Sequence, residues 1–438
     1  MKKMIFFFAL LQISNLALAQ KTLTFSECLY LMESNNFALK NMALNEEIAH
    51  YNLKTKKGKL LPSLTGSGDN KYSWGREIDP TTNSFVNKDL KSYIGSINAN
   101  YTLFSGFYTL KSIQIGKQEV AITALNHKKM RDEMAIDLAQ KYITLFYLQE
   151  TLLVNQEQIA ASNKQLEMAQ LKFDSGVIAE SEVFKIQAQK SIEELNLITN
   201  QNRLASLELD LKQIMNLPLE TELKLEKPKV PLFENSLFEE NVLEIAKKAV
   251  KIHPSFLMYQ LMEQKANKEV SLSQSFYFPS LNVKYNYGST YSTNDPEITF
   301  KDQFNANLAS SLKLSLGIPI FNQFETTYRI KQTKLAFEQS KIKTKIEENR
   351  IYKLVIQAIS DTKATFKKQE AATIAFKFAQ KSYDSDILKY ELGKININEL
   401  NTTKTNFQNA QSELIRCKYE LILNTSLIRY YLGQELLF

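Results

Sequence analysis

The chain is poor in almost everything that a catalytic or disulfide-bonded domain needs. It has two cysteines, three histidines and one tryptophan in 438 residues. Two cysteines, Cys28 and Cys417, make no disulfide framework, and each reads as a small residue packed on a helix. His50, His127 and His253 are scattered over helical segments with no Cys, Asp or Glu cluster at metal spacing, so each reads as a packing or surface residue. There is no Gly-rich phosphate loop and no nucleophile elbow. The chain is therefore expected not to be an enzyme and to need no metal or cofactor. It also lacks any apolar run near the twenty residues a membrane helix requires. A strong charge of one sign is missing too. The formal net charge of +7 falls to +5 without Lys2 and Lys3, a weak excess that gives no ground for nucleic-acid binding.

Met-Lys-Lys, the apolar run Met4 to Leu11 and Ala17-Leu18-Ala19 read as a secretory signal peptide, residues 1–19, expected to be cut before Gln20. Gln20 is not a cysteine, so no N-terminal lipid anchor is expected. Export without a helical anchor leaves the periplasm, the outer membrane or the medium.

The stretch Ser63 to Trp74 alternates. Leu64, Gly66, Gly68, Tyr72 and Trp74 are apolar, small or aromatic, whereas Thr65, Ser67, Asp69, Lys71 and Ser73 are polar, with Asn70 the exception. Period-two alternation predicts a strand with one wet and one apolar face, which suits a soluble sheet as well as a membrane wall. Shifting the sequence by 217 residues superimposes Leu61-Pro62-Ser63-Leu64 on Phe278-Pro279-Ser280-Leu281, Phe104 on Phe321, Gly176 on Gly393 and Glu182 on Glu399. The chain reads as two copies of one unit, residues 20–217 and 236–438, joined by a linker over 218–235 that contains Pro218, Pro228 and Pro231.

Each copy predicts the same series. Thr24-Phe25-Ser26-Glu27 and Ser236-Leu237-Phe238-Glu239 are capping boxes that open helices. The first helix is interrupted near Asn35-Asn36, and Pro62 and Pro279 end the helices. Strands follow at 63–75 and 92–104 in the first copy, and at 280–291 and 302–318 in the second. The last is read from Phe304, Ala306, Leu308, Leu312, Leu314 and Leu316 alternating with Gln303, Asn305, Asn307, Ser311, Lys313 and Ser315. Polar loops containing Asp79-Pro80 and Asp295-Pro296 connect them as exposed turns. Long helices run from about Phe107 to Asp174 and from about Phe324 to Leu392, each a rod of roughly 100 Å with a heptad seam. Leu138, Tyr142, Leu145, Leu152, Ile159, Leu166 and Phe173 line the first seam. Val355, Ile359, Phe366, Phe376, Tyr383 and Ile387 line the second. Gly176 and Gly393 end these rods, and antiparallel helices return over about Glu180 to Asn216 and Ile397 to Leu432.

A lipid-exposed sheet must close, because every backbone polar group has to be bonded. Four strands cannot close a barrel whose practical minimum is about eight, so several chains must share one. Two chains or three satisfy the count.

Taken in order and at one offset, LTFSECLYLMESNN, LLPSL, FYFPSL, YTLFSG, IPIFNQF, FDSGVIAESEV and YELGKININEL resemble the TolC family of outer-membrane efflux and secretion ducts over essentially the whole mature chain. The resemblance implies a mainly helical chain with a membrane β-barrel: a homotrimer with four strands per chain in a twelve-stranded barrel, long coiled-coil helices in the periplasm, and coupling to a periplasmic adaptor and an inner-membrane transporter. It implies adaptor docking at the helix tips near 174–179 and 391–396, by Gly176, Val177, Ile178, Ala179, Gly393, Lys394, Ile395 and Asn396. The bland reading is that these glycines only cap helices. It also implies a periplasmic gate at Glu399, with Glu182 as its counterpart. Three Glu399 carboxylates around a threefold axis would attract cations, or Glu399 lies on an ordinary solvated face. Thr402 stands where the family has its second acidic position. Asn36-Phe37 and Gln323 depart from the family's usual proline and glycine.

Tyr72, Trp74, Tyr93, Tyr101, Tyr285, Tyr287 and Tyr291 lie mostly near strand ends and suit interfacial girdles in outer-membrane lipid. The expected function is the outer-membrane channel of a tripartite efflux pump in a Gram-negative bacterium. The alternatives are a type I protein-secretion duct and, from another class, a periplasmic coiled-coil scaffold, which would have no use for the strands.

Overall fold

The computed structural model describes residues 22–229, 241–436 and 438. The signal segment and the Ser236 capping box fall outside them. The described residues fall into two compact units. One draws on the described residues within Met1–Ala43, Asn126–Leu257 and Glu347–Phe438, the other on Leu44–Leu125 and Met258–Ile346. Among the described residues no helix is long and apolar enough to cross a membrane.

In the first unit α1 (Phe25–Asn35) opens with a complete capping box. The Glu27 amide donates to Thr24 Oγ1 at 3.2 Å, and the Thr24 amide donates back to Glu27 Oε2 at 2.9 Å. The expected interruption falls at Asn36. Its extended backbone stops α1, and its Oδ1 accepts from the Ala38 amide at 2.8 Å to start α2 (Phe37–Gly58). Asn36 Nδ2 meanwhile donates to the Ile214 carbonyl at 2.8 Å. His253 sits at the same place in the second copy, between α5 (Val242–Ile252, capped by Asn241) and α6 (Pro254–Gln274). There the Ser255 amide donates to His253 Nδ1 at 3.3 Å. The described part of the linker does more than tether: Leu23 and Leu225 form a parallel bridge, fixed by Leu23 N–H to the Lys224 carbonyl at 2.8 Å.

The second unit carries the sheet, with strand order β1 (Ser63–Ser73), β4 (Leu90–Ser105), β5 (Ser280–Ser292), β6 (Ala309–Gly317), all antiparallel. Register follows side-chain parity. The pairs Leu64↔Ala99↔Tyr285↔Leu312 put apolar groups on one face, and Ser67↔Ser96 and Asn98↔Asn286↔Ser311 put polar groups on the other.

Two expectations need correction. The connection after β1 is not simply an exposed polar loop: β2 (Arg76–Ile78) and β3 (Phe85–Asn87) form a small hairpin around a fully buried Asp79. The Asp79 carboxylate accepts from the Thr81 amide, the Thr81 and Thr82 hydroxyls and Asn294 Nδ2, which ties this hairpin to the turn after β5. The fourth strand does not begin at 302 either. Residues Phe300–Ala306 form a short helix, α7, and β6 starts only at Ala309. Thr299 caps α7 by accepting from the Asp302 amide at 3.2 Å. Beyond Gly288 the edge of β5 has no strand beside it, and two side-chain amides take over. Gln303 Oε1 accepts from the Ser292 amide at 2.5 Å, and Asn307 Nδ2 donates to the Thr290 carbonyl at 2.8 Å.

The chain leaves the sheet twice through a left-handed pair, Gly106-Phe107 (φ 61° and 65°) and Gln323-Phe324 (φ 57° and 64°). A Cβ at Gly106 would lie 2.4 Å from the Ser275 carbonyl oxygen, so only glycine fits the first. Then come α3 (Tyr108–Asp174) with its return α4 (Glu180–Met215), and α8 (Glu325–Glu391) with its return α9 (Ile397–Tyr431). The seams pack as heptads require. Leu138, Tyr142 and Leu145 join Leu211, Met215 and Ile422 in one core, and Ile351, Val355 and Ile359 join Ile245 and Val250 in another.

Candidate functional sites: the helix tips and the strand wall

Both tips are Schellman turns. Gly176 (φ 72°) donates to the Phe173 carbonyl and Val177 to the Lys172 carbonyl, each at 2.8 Å. Gly393 (φ 69°) donates to the Tyr390 carbonyl at 3.0 Å and Lys394 to the Lys389 carbonyl at 2.8 Å. No atom lies within 4 Å of where a Cβ would sit on either glycine, so left-handed backbone alone selects glycine there. Val177, Ala179, Lys394 and Asn396 are exposed beside them. Ile178 and Ile395 are half-buried: they pack on a cluster built from Ala169, Val183, Ile186, Tyr383, Ile397 and Leu400. Tyr383 stacks on Phe407 with ring centroids 5.4 Å apart. One chain thus holds its two tips together through a shared apolar core.

Glu399 is exposed and does double service at the start of α9. Asn396 Oδ1 accepts from the Asn398 and Glu399 amides at 2.9 and 3.1 Å, while Asn396 Nδ2 donates to Glu399 Oε1 at 2.7 Å. Thr402 is exposed, and its hydroxyl donates to the Asn398 carbonyl. Glu182, in the first turn of α4, is half-buried beside Tyr390. Burial, with this carboxylate close by, pushes the Tyr390 phenol up.

One buried group escaped the sequence reading. Glu193 on α4 and Lys404 on α9 pair at 2.7 Å inside the bundle below the tips. Ser162 of α3 donates to Glu193 Oε2, and Gln408 and Gln189 donate to Oε1 at 3.0 and 3.2 Å. Burial works against the charged form, but hydrogen bonds from Lys404, Ser162 and Gln408 outweigh it and hold the carboxyl below its ordinary range. The available signal was spacing: Leu400, Lys404 and Phe407 lie on one helical stripe, as do Ile186 and Glu193.

The sheet presents two unlike faces, and both are open. On the apolar face Leu64, Leu312, Leu314 and Leu316 are 72%, 73%, 64% and 63% exposed. The polar face is a hydrogen-bonded mat: Ser67 to Ser96 at 2.8 Å, Asn286 to Asn98 at 2.8 Å and Thr102 to Asn282 at 2.9 Å. It carries Lys284 directly opposite Lys313, both exposed. Neither ammonium has an ion-pair or hydrogen-bond partner among the described residues. Tyr72, Trp74, Tyr285 and Tyr287 are exposed on the apolar side, whereas Tyr93 and Tyr291 are half-covered by α7. Among the described residues no group of His, Cys, Asp and Glu side chains is placed to hold a metal ion.

Comparison with known proteins adds three kinds of finding. The family profile described as outer membrane efflux protein matches twice, over residues 28–217 and 245–434, at the same 217-residue spacing read from the sequence. The chain is 21% identical over 409 residues to outer membrane protein TolC of Salmonella enteritidis, spanning 91% of this chain and 79% of that protein. It is 20% identical over 389 residues to the outer membrane efflux protein BepC of Brucella suis, spanning 89% of this chain and 79% of that one. Among solved structures, the outer membrane protein VceC of Vibrio cholerae matches with a TM-score of 0.81 at 11% identity, over 94% of this chain and 96% of that chain. CusC matches with a TM-score of 0.78 at 14% identity, over 94% and 92%. At such identities the structural likeness speaks for the fold alone.

Proposed function

Since the chain belongs to the outer membrane efflux protein family, we propose that it works as the outer-membrane duct of a tripartite efflux pump, a passive trimeric conduit for small molecules. The observation that carries this reading is the four-stranded sheet itself. Its two edge strands, β1 and β6, are unpaired in one chain among the described residues, and its two faces are exposed with opposite chemistry. A sheet of that kind is complete only when copies join edge to edge, the apolar face meeting lipid and the polar face lining water. Three copies supply twelve strands. Energy comes from an inner-membrane transporter, and a periplasmic adaptor docks on the exposed tip residues Gly176, Val177, Ala179, Gly393, Lys394 and Asn396, with Ile178 and Ile395 shaping the turns from below.

Glu399 supplies the gate. Exposed and oriented by Asn396, three copies form one acidic ring, with Thr402 leaving the next turn uncharged and Glu182 set back against Tyr390. The test is conductance of the purified protein in planar bilayers, with fractionation of the producing cells. Channels from a membrane-extracted trimer support the duct. A detergent-free soluble monomer without channel activity overturns it in favour of a scaffold. A Glu399→Ala trimer that keeps wild-type conductance and wild-type block by divalent cations removes the gate assignment alone.

A further inference from the structure

Helix α7 stands on the apolar side of the sheet. Its Phe304 ring covers Gly95, where an added Cβ would sit 3.4 Å from the ring, and Gly95 shares its face with Ile97 and Ala99. The Ser289 hydroxyl, paired with Gly95 across the ladder, donates to the Phe304 carbonyl. Phe300 packs edge-on to Tyr93 with centroids 6.4 Å apart and tilted against Tyr291 at 5.0 Å. Small residues therefore run across three strands at one level, Gly68, Gly95 and Ser289, and the helix fills the space over Gly95 and Ser289.

The polar groups of α7 are divided. Gln303 is buried against the strand edge, whereas Lys301, Asp302 and Asn305 face out. Phe300 is 52% exposed and the flanking Ile298 42% exposed. Chemistry along the apolar face is graded as well. Leu316, Leu314 and Leu312 come first along β6, with Tyr101 level with Leu314 and Tyr285 level with Leu312, then Tyr287 beside Ile97, then Tyr93 and Tyr291 packed on α7. At the next-to-last pair of the β1–β4 ladder Lys91 lies with its ammonium 5.2 Å over the Tyr72 ring. A cluster of aromatic rings with a cation at its end is what the boundary between a bilayer's acyl chains and its phosphates favours.

We propose that α7 is an interfacial element seated in membrane lipid, its exposed apolar groups at the boundary between acyl chains and headgroups and Lys301 and Lys91 toward the phosphates. This rests on reading the sheet as part of a barrel wall. It explains why β6 stops short: α7 finishes the edge of β5 from the lipid side with side-chain amides that take the Ser292 N–H and the Thr290 carbonyl, two groups hydrocarbon could not satisfy. It also leaves the polar face unobstructed, so α7 is no plug.

The test uses full-length protein in phosphatidylcholine vesicles. In a Trp74→Phe background, which removes the one native tryptophan, single tryptophans are placed by Phe300→Trp, Leu314→Trp and Ser311→Trp. Lipids brominated near the headgroup are expected to quench Phe300→Trp more than lipids brominated at mid-chain, with the opposite order for Leu314→Trp and no lipid quenching of Ser311→Trp. Ile298→Trp gives the same depth reading should Phe300→Trp fail to assemble. Quenching of Phe300→Trp or Ile298→Trp by aqueous iodide and not by lipid, while Leu314→Trp stays lipid-quenched, overturns the assignment of α7. Loss of lipid quenching at Leu314→Trp as well overturns the barrel wall itself.

Discussion

Glu193 and Lys404 lie 2.7 Å apart with side chains 2% and 3% exposed, linking the two helical hairpins through the interior of their bundle. Breaking one side of such a pair leaves the other charge buried and uncompensated, at a cost of about 3–5 kcal/mol. Lys404→Met alone is expected to lower the thermal midpoint strongly. Glu193→Leu with Lys404→Met should recover most of the loss. Because the folded Glu193 carboxyl is held below its ordinary range, the pair contributes fully above the ordinary carboxylate pKa and fades as the pH falls through the lower folded value. A single variant as stable as wild type at neutral pH would show that the pair is not coupled to folding.

His253 and Asn36 hold equivalent breaks between helices, but only one of them titrates. Burial, with Arg350 beside it, pushes the His253 imidazole down, while Glu347 acts in the opposite sense. Lys129 adds to the depression. The folded state therefore prefers the neutral ring, whose Nδ1 accepts from Ser255. Its stabilising contribution is full above the unfolded pKa of about 6.5 and is lost as the pH falls through the lower folded value. His253→Asn copies the first repeat and should keep the cap while flattening stability against pH in that acid range. An unchanged slope, measured by thermal unfolding, would place the titration elsewhere.

Gln303 and Asn307 finish the edge of β5. Gln303→Leu strands the Ser292 amide and Asn307→Leu the Thr290 carbonyl, each loss worth about 1–3 kcal/mol. The expected result is faster hydrogen exchange at the top of β5 with the lower ladder, Ser280 to Gly288, unaffected. Equal protection in variant and wild type would mean water or another group replaces these amides at no cost.

Lys284 and Lys313 face each other on the polar wall, an arrangement that costs stability in a sheet. Asp69 is the one carboxylate on that face of β1, where Lys71 is paired to Glu77 at 3.2 Å. In a closed trimer the pair makes six cations at one level. Lys284→Gln with Lys313→Gln should shift the zero-current potential in a salt gradient toward cation preference. No shift would mean that selectivity is set elsewhere along the duct.

Much of this was legible in sequence because alternation and heptad spacing extend over many residues and leave little ambiguity. The Asn36 break, the glycine turns and the four strands were readable on that account. Helix α7 was not. Gln303, Phe304, Asn305, Ala306 and Asn307 alternate polar and apolar as a strand would, and seven residues are too few turns to display a helical period. Thr299 followed by Asp302 was the one local cue. Asp79 looked like a solvated turn residue because its partners include Asn294, far along the chain. Lys404 went unread for a similar reason: its carboxylate partner lies on another helix. The tip residues were placed by the turn chemistry of glycine, whereas any gating by Glu399 depends on copies that one chain does not contain.

Four backbone reversals recur at one offset: Gly106 with Gln323, Phe107 with Phe324, Gly176 with Gly393, and Asn216 with Gly433. At two of them the residue has changed and the bend has stayed. What the two copies share most closely is a count, with α3 and α8 each 67 residues long. One residue inserted in either helix would carry its turn about 1.5 Å along and roughly 100° around. The paired tips would then no longer meet. Spacing behaves here as the inherited trait, a common measure that holds both halves to one length while their side chains drift.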